Sequence, residues 1–197
     1  FHQAGLYFGM ITMAWAYTQC LIPDPRNTKH MCKEISKHSP SMMLHVPSLY
    51  QMLMDDPAFA KIDFSSCDVC ISGASPFSKE AVNALEAIVG KGKVVEIYGM
   101  TEASTVIAMN PLKGKKKVGS VGLPMQSTTL KLVDVETGTK EVPLGEEGEV
   151  IISGPQIMKG YHRKPEESAH ALRRFQNATW LYTGDVARMD EDGYFFI

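Results

Sequence analysis

Residues 94–104 read Val94-Val-Glu-Ile-Tyr98-Gly-Met-Thr-Glu-Ala-Ser104. The first five favour a short strand, and a glycine turn follows at once. In open α/β sheets, ligands gather outside the carboxyl ends of strands, where glycine lets the backbone approach and exposed amides can bind anions. This turn adds an aromatic face at Tyr98, a hydroxyl at Thr101 and a carboxylate at Glu102, which suit a purine ring, a phosphate oxygen and a magnesium ion. The stretch therefore predicts an α/β sheet with a nucleotide site.

A second glycine turn, Ser72-Gly-Ala-Ser-Pro76, follows another predicted strand at residues 67–72. Its position after a strand fits the same kind of site. A plain strand-to-helix turn would have the same sequence, so the turn alone leaves both readings open.

The first part of the chain alternates between helical and strand patterns, which predicts a mainly parallel sheet with covering helices over residues 1–112. Helices are expected from Asn27 or Thr28 to before Pro40, from Pro47, and from Ser78 to Gly90, with strands at 41–46, 67–72 and 94–98. From residue 113 to 197 the pattern changes to short strands separated by Gly, Pro and acidic turns, which predicts a smaller, β-rich and barrel-like subdomain. Its strands are expected at 128–135, 148–153, 180–183 and 194–197, with a helix around 165–174.

The first 17 residues are apolar, but no basic region precedes them and no small-residue cleavage site follows, which argues against a signal peptide. Polar residues and glycines dilute the segment below what a membrane span requires. A buried helix is the favoured reading.

Composition limits the function classes. The chain is 44% hydrophobic and 21% charged, with a net charge of −2, so nothing in its charge indicates nucleic acid as a partner. Four cysteines are too few for a disulfide scaffold and fit a reducing, cytoplasmic location. Cys67 and Cys70, three apart in a predicted strand, should point to opposite faces, and no second Cys or His pair lies at zinc-finger spacing.

Three ordered segments carry a family resemblance. Tyr98-Gly-Met-Thr-Glu102 resembles the YGxTE motif of the adenylate-forming superfamily. Gly145-Glu-Glu-Gly-Glu-Val-Ile-Ile-Ser-Gly-Pro155 through Gly160-Tyr161, and Trp180-Leu-Tyr-Thr-Gly-Asp185, follow in the order that the superfamily shows. Gly119-Ser-Val-Gly-Leu-Pro124 and Gln156-Ile-Met-Lys-Gly-Tyr161 look most like the bacterial long-chain fatty acid–CoA ligases.

The resemblance implies a role for each matching residue. Thr101 would bind the α-phosphate, Glu102 would hold Mg²⁺ and Asp185 would accept the ribose hydroxyls. The residues implied around the nucleotide are Gly73, Ala74, Ser75, Tyr98, Gly99, Met100, Thr101 and Asp185. His2, in a Phe-His pair, would line the acyl pocket together with Gly99. A histidine on an apolar segment is more often a core residue, and Thr-Gly-Asp alone is more often a turn.

The implied reaction joins a fatty acid to ATP with Mg²⁺, giving acyl-AMP and pyrophosphate, and then transfers the acyl group to CoA. Alternatives are an aryl or medium-chain acid–CoA ligase, an acyl-AMP ligase of the same superfamily, and a non-catalytic adenylate-binding module. The partners are small molecules. The basic run Lys113-Gly-Lys-Lys-Lys117 reads as a solvated loop but leaves a phosphate contact or peripheral membrane contact open.

The family's phosphate loop is expected upstream of Phe1, and its hinge and lysine-bearing C-terminal domain after Ile197. The sequence is therefore expected to be a fragment of the large N-terminal domain that is inactive alone.

Overall fold

The structure is a computed structural model that describes residues 2–197. The described residues form two compact units, the first from residues 2–97 and Pro111–Gly119, the second from Tyr98–Asn110 and Ser120–Ile197. This grouping differs from the expected division at residue 112, because the segment Tyr98–Asn110 packs with the second unit and Pro111–Gly119 with the first.

The first unit alternates helices and strands. In chain order its elements are α1 (Gln3–Ala14), α2 (Thr28–His38), β1 (Met42–His45), α3 (Pro47–Met54), a 3₁₀ turn (Phe59–Lys61), β2 (Val69–Ser72), α4 (Lys79–Val89) and β3 (Val94–Tyr98), whose last residue belongs to the second unit. The helix starts follow local chemistry, since Asn27 caps α2, Pro47 opens α3 and Ser78 caps α4 through Ala81 N–H.

Strands β1, β2 and β3 are parallel, with Met42 opposite Val69 and Cys70 opposite Val94. The apolar faces of α2, α3 and α4 pack into one core with the sheet, around Tyr50, Leu53, Phe59 and Leu85. The Tyr50 hydroxyl donates to the carbonyl of Ile71 at 3.1 Å, which satisfies its polar tip inside that core. The predicted α/β fold with a parallel sheet and covering helices is confirmed.

The second unit is mainly antiparallel. Its strands are β4 (Ala108–Met109), β5 (Leu123–Pro124), β6 (Thr129–Val133), β7 (Glu147–Ser153), β8 (Leu172–Phe175), β9 (Ala178–Met189) and β10 (Phe195–Phe196), with a 3₁₀ turn at Thr101–Ala103 and a short helix α5 (Pro165–Ala171). One sheet has the order β10-β9-β7-β6, β8 also pairs with β9, and β4 pairs with β5. The alternating strands bury Leu132, Val150, Ile152 and Leu181 on one face.

Two expectations for the first unit were wrong. No residue of α1 is buried, whereas a buried helix was expected; among residues 2–197 the core of the first unit is built by α2, α3, α4 and the sheet, and α1 contributes no side chain to it. Cys67 lies before β2 begins, so strand alternation does not apply to it, and its Sγ approaches that of Cys70 to 3.7 Å.

Among residues 2–197, every helix falls short of the length and hydropathy that a membrane crossing requires.

Candidate functional site

Two of the predicted site carboxylates lie in the second unit, and each accepts a hydrogen bond from a tyrosine hydroxyl. The first is Asp185, whose Oδ2 accepts from the hydroxyl of Tyr98 at 2.5 Å although the residues are 87 positions apart. Burial, together with the Asp185 carboxylate, raises the pKa of Tyr98 well above its ordinary value. Tyr98 is therefore a permanent donor, and Oδ1 of Asp185 remains as the oxygen that can accept from a ligand.

Asp185 lies in a β-bulge of β9, which sets its position. Glu149 pairs with Val186 and Ile151 with Tyr182, so Thr183, Gly184 and Asp185 stand opposite the single residue Val150. Gly184 takes a φ of 76°, which favours glycine. The Thr183 hydroxyl donates to Val150 O at 2.9 Å and accepts from Asp185 N–H at 3.1 Å, which fixes the bulge.

The second carboxylate is Glu102, in the 3₁₀ turn after Tyr98. Its Oε1 accepts from the hydroxyl of Tyr161 at 2.8 Å, and this bond raises the pKa of Tyr161. Within residues 2–197 no other hydrogen bond or ion pair is made by this carboxylate, so Oε2 is open to a cation. One available carboxylate oxygen fits Mg²⁺, which is commonly held by one or two carboxylates with waters and substrate phosphates.

The segment that carries Tyr161 is joined to this turn at two further points. Met158 N–H donates to Glu102 O at 2.8 Å, and the Ser104 hydroxyl donates to Gln156 O at 2.9 Å. Residues 156–161 therefore form a brace beside Glu102. Tyr161 had no predicted role, because a pairing between residues 59 positions apart leaves no local signal in the sequence.

Close backbone packing explains why residue 99 is a glycine. A Cβ at this position would lie 1.4 Å from the carbonyl oxygen of Thr105, because the chain folds back and Ile107 N–H donates to Tyr98 O at 2.8 Å. Met100 is half-buried against the core of the second unit, and its carbonyl accepts from Thr105 N–H at 3.0 Å. Thr101, in contrast, is exposed.

The predicted turn Gly73, Ala74 and Ser75 belongs to the first unit. Gly73 is buried, and a Cβ there would meet the Ile97 side chain at 2.5 Å. Ala74, at a φ of 70°, and Ser75 are exposed. Two of its three residues are thus exposed, and the role of the turn in binding the nucleotide stays a prediction.

His2 caps α1, because its Nδ1 accepts from Ala4 N–H at 3.1 Å. The residue is exposed, which excludes the reading of His2 as a core histidine. Its partner in the Phe-His pair, Phe1, lies outside the described residues, and the substrate role of His2 stays a prediction.

Comparison with known proteins identifies the family. The family described as AMP-binding enzyme matches residues 1–162, and the chain belongs to it. The chain is 40% identical to a long-chain-fatty-acid–CoA ligase of Bacillus subtilis (strain 168), with 100% of this chain and 34% of that protein covered. It is 34% identical to a 4-coumarate–CoA ligase of Pinus taeda, with 100% and 37% covered.

A solved structure agrees with the fold. ATP-bound MatB from Rhodopseudomonas palustris superposes with a TM-score of 0.88 at 29% identity, over 100% of this chain and 37% of that one. The chain spans about a third of the length of the curated relatives that it matches.

Proposed function

We propose that the protein carrying this chain is a Mg²⁺-dependent ligase that activates a long-chain fatty acid with ATP and transfers the acyl group to CoA. The observation that carries the proposal is the pair of tyrosine-held carboxylates, Glu102 and Asp185, in a chain of the AMP-binding enzyme family. The 40% identity to a long-chain-fatty-acid–CoA ligase supports the choice of acid and acceptor.

In this proposal the chain binds and orients rather than supplying a nucleophile. Asp185 Oδ1 accepts from both ribose hydroxyls while Tyr98 holds the other oxygen, and the exposed hydroxyl of Thr101 donates to the α-phosphate. Glu102 offers Oε2 to Mg²⁺, which neutralises phosphate charge when it is bound. Such positioning accounts for most of the catalytic effect in phosphoryl chemistry.

Pyrophosphate release by the complete protein tests the reaction. With palmitate, octanoate and coumarate, each with and without CoA, we expect the fastest CoA-dependent turnover with palmitate. Turnover without thioester formation would contradict the CoA step.

The second candidate is an aryl acid–CoA ligase, which the 34% identity to a 4-coumarate–CoA ligase favours. The same panel separates the two candidates, because a preference for coumarate over palmitate would select the aryl acid. A pocket discriminates one methylene by only about 1–3 kcal/mol, so the acids are chosen to differ by much more than that.

Tyr161→Phe tests the brace. In the complete protein we expect the Mg²⁺ concentration for half-maximal activity to rise about fivefold, equivalent to about 1 kcal/mol, because Glu102 loses the bond that orients it. The measurement is a Mg²⁺ titration of pyrophosphate release at saturating ATP. Tyr17→Phe, at an exposed tyrosine of the first unit, is the matched control and should change nothing. A lower Mg²⁺ requirement would instead mean that the hydroxyl competes with the cation.

A further inference from the structure

A cluster of three different metal-ligating side chains lies in the first unit and includes none of the residues discussed above. Cys20 Sγ, a carboxylate oxygen of Glu34 and an imidazole nitrogen of His38 lie within 4.8 Å of one another. Within residues 2–197 this is the one group of three or more His, Cys, Asp and Glu residues that meets this criterion.

The helix α2 supplies two of the ligands. Glu34 and His38 are four residues apart and so share one face of the helix, and His38 Nε2 lies 3.2 Å from Glu34 Oε2. Tetrahedral zinc sites with ligand bonds of about 2.0–2.2 Å place their nitrogen and oxygen ligands about 3.3–3.5 Å apart. The pair therefore has almost the separation that a shared zinc ion requires.

A second histidine lies near the same carboxylate. His30 lies one turn before Glu34, with its Nδ1 4.0 Å from Glu34 Oε1, whereas His38 approaches Oε2. The side chain of Glu34 is only 18% exposed. At 4.0 Å these two atoms are too far apart for a direct hydrogen bond, so His30 is a neighbour of the cluster and not one of its proposed ligands.

Cys20 comes from a different segment, the irregular stretch between α1 and α2. Two residues later Ile22 packs on the core that also contains Met31, Cys32 and Ile35 of α2. Gln19 Nε2 donates to Gly9 O at 3.2 Å. These contacts anchor the chain on both sides of Cys20, to α1 through Gln19 and to the core of the first unit through Ile22. An ordinary Glu–His helix pair would explain Glu34 and His38 but gives no reason for the thiol beside them.

We propose that Cys20, Glu34 and His38 form a zinc site with a water molecule in the fourth position. A thiolate, an imidazole and a carboxylate suit Zn²⁺, whereas Mg²⁺ and Ca²⁺ prefer oxygen ligands alone. The thiolate and the carboxylate together balance the charge of the ion. Because Cys20 must lose its proton, binding strengthens as the pH rises.

Zinc would fasten the irregular segment to α2. That segment contains Arg26, whose side chain is 85% exposed, so trypsin can reach the bond after it. A ligand that binds only the folded arrangement makes opening of the segment rarer by mass action. Zinc should therefore slow cleavage at Arg26.

The test is a Zn²⁺ titration of the full chain after removal of metal with a chelator, followed by competition with a chromophoric chelator. We expect one Zn²⁺ per chain and a loss of affinity of more than about tenfold in both Cys20→Ala and His38→Ala. Co²⁺ should give a thiolate-to-metal charge-transfer band in the wild type and none in Cys20→Ala. His170→Ala, which removes an exposed histidine of α5 in the second unit, is the matched control and should bind as the wild type does.

Wild-type affinity in Cys20→Ala would overturn the proposal, because any bound zinc would then belong to other side chains. Absence of Zn²⁺ binding by the wild type would overturn it as well. Trypsin gives a separate readout: Zn²⁺ should protect the bond after Arg26 in the wild type and leave it unprotected in Cys20→Ala. Equal cleavage with and without Zn²⁺ in the wild type would contradict the link between the two segments.

Discussion

Gly99→Ala is expected to abolish the activity of the complete protein and to destabilise it by about 3 kcal/mol or more. The added methyl group would lie 1.4 Å from the backbone oxygen of Thr105, and backbone cannot move aside as a flexible side chain can. The turn would have to open, which breaks the bond from Ile107 N–H to Tyr98 O and displaces Tyr98 from Asp185. Thermal or denaturant unfolding, together with pyrophosphate release, measures both losses.

Gly5→Ala provides the control for this substitution. No atom lies within 4 Å of a Cβ built at Gly5, and the residue is in α1, where alanine is favoured over glycine by about 1 kcal/mol. That variant should be unchanged or slightly more stable. If Gly99→Ala behaved in the same way, the tight packing of the turn would be wrong.

Asp185→Ala is expected to weaken binding of an acyl-adenylate analogue to the complete protein by about 100-fold. Two charge-assisted hydrogen bonds to a ribose, each contributing about 1.5 kcal/mol, give that factor. The substitution also leaves the half-buried hydroxyl of Tyr98 without its acceptor. Calorimetry with the analogue measures the change, and unchanged affinity would remove Asp185 from the ribose site.

Two further variants separate the ribose contact from the tyrosine contact. Asp185→Asn keeps the shape and an acceptor oxygen but removes the charge, so it should retain more affinity than Asp185→Ala. Tyr98→Phe keeps the ring and removes the donor to Asp185. If Tyr98 acts by orienting the carboxylate, Tyr98→Phe should weaken binding in the wild-type background and have little further effect in Asp185→Ala.

Elements with strong local signals were predicted well from the sequence. Helix α4 begins after Ser78 and ends at Gly90, as its cap and its apolar stripe indicate. Strand β3 and the turn after it also lie where residues 94–104 place them. In these stretches propensity, capping and periodicity all favour the same local structure, and tertiary packing does not change it.

Elements that depend on distant pairing were predicted less well. The helix expected to reach Arg174 ends at Ala171, because Leu172–Phe175 pairs with Ala178–Leu181 as β8. Strand β9 runs from Ala178 to Met189, far beyond the expected 180–183, since the bulge lets it continue past Gly184. Glycine and aspartate have low strand propensity, so the local sequence does not predict that the strand continues through Gly184 and Asp185. The strand continues there because it pairs with β7 on both sides of the bulge.

The residues of the candidate site also differ in how far the sequence predicts them. Motif residues such as Glu102 and Asp185 were proposed from the sequence, and their roles stay predictions, but the tyrosine hydroxyl that each carboxylate accepts from was not predicted. Neither the pairing of Tyr98 with Asp185 nor that of Tyr161 with Glu102 can be read from spacing, because each joins segments that only the folded chain brings together.

Strand β9 has a consequence for the motions of the second unit. It pairs with β7, β8 and β10, so no other strand in this sheet shares ladders with as many neighbours. The bulge at residues 183–185 makes no ladder bonds of its own, but paired stretches of β9 hold it on both sides, so the paired amides that flank the bulge should be among the slowest of the unit to exchange with deuterated water. With both flanks of the bulge fixed, Asp185 would be in place before any ligand arrives, and little of the free energy of binding would be needed to order it.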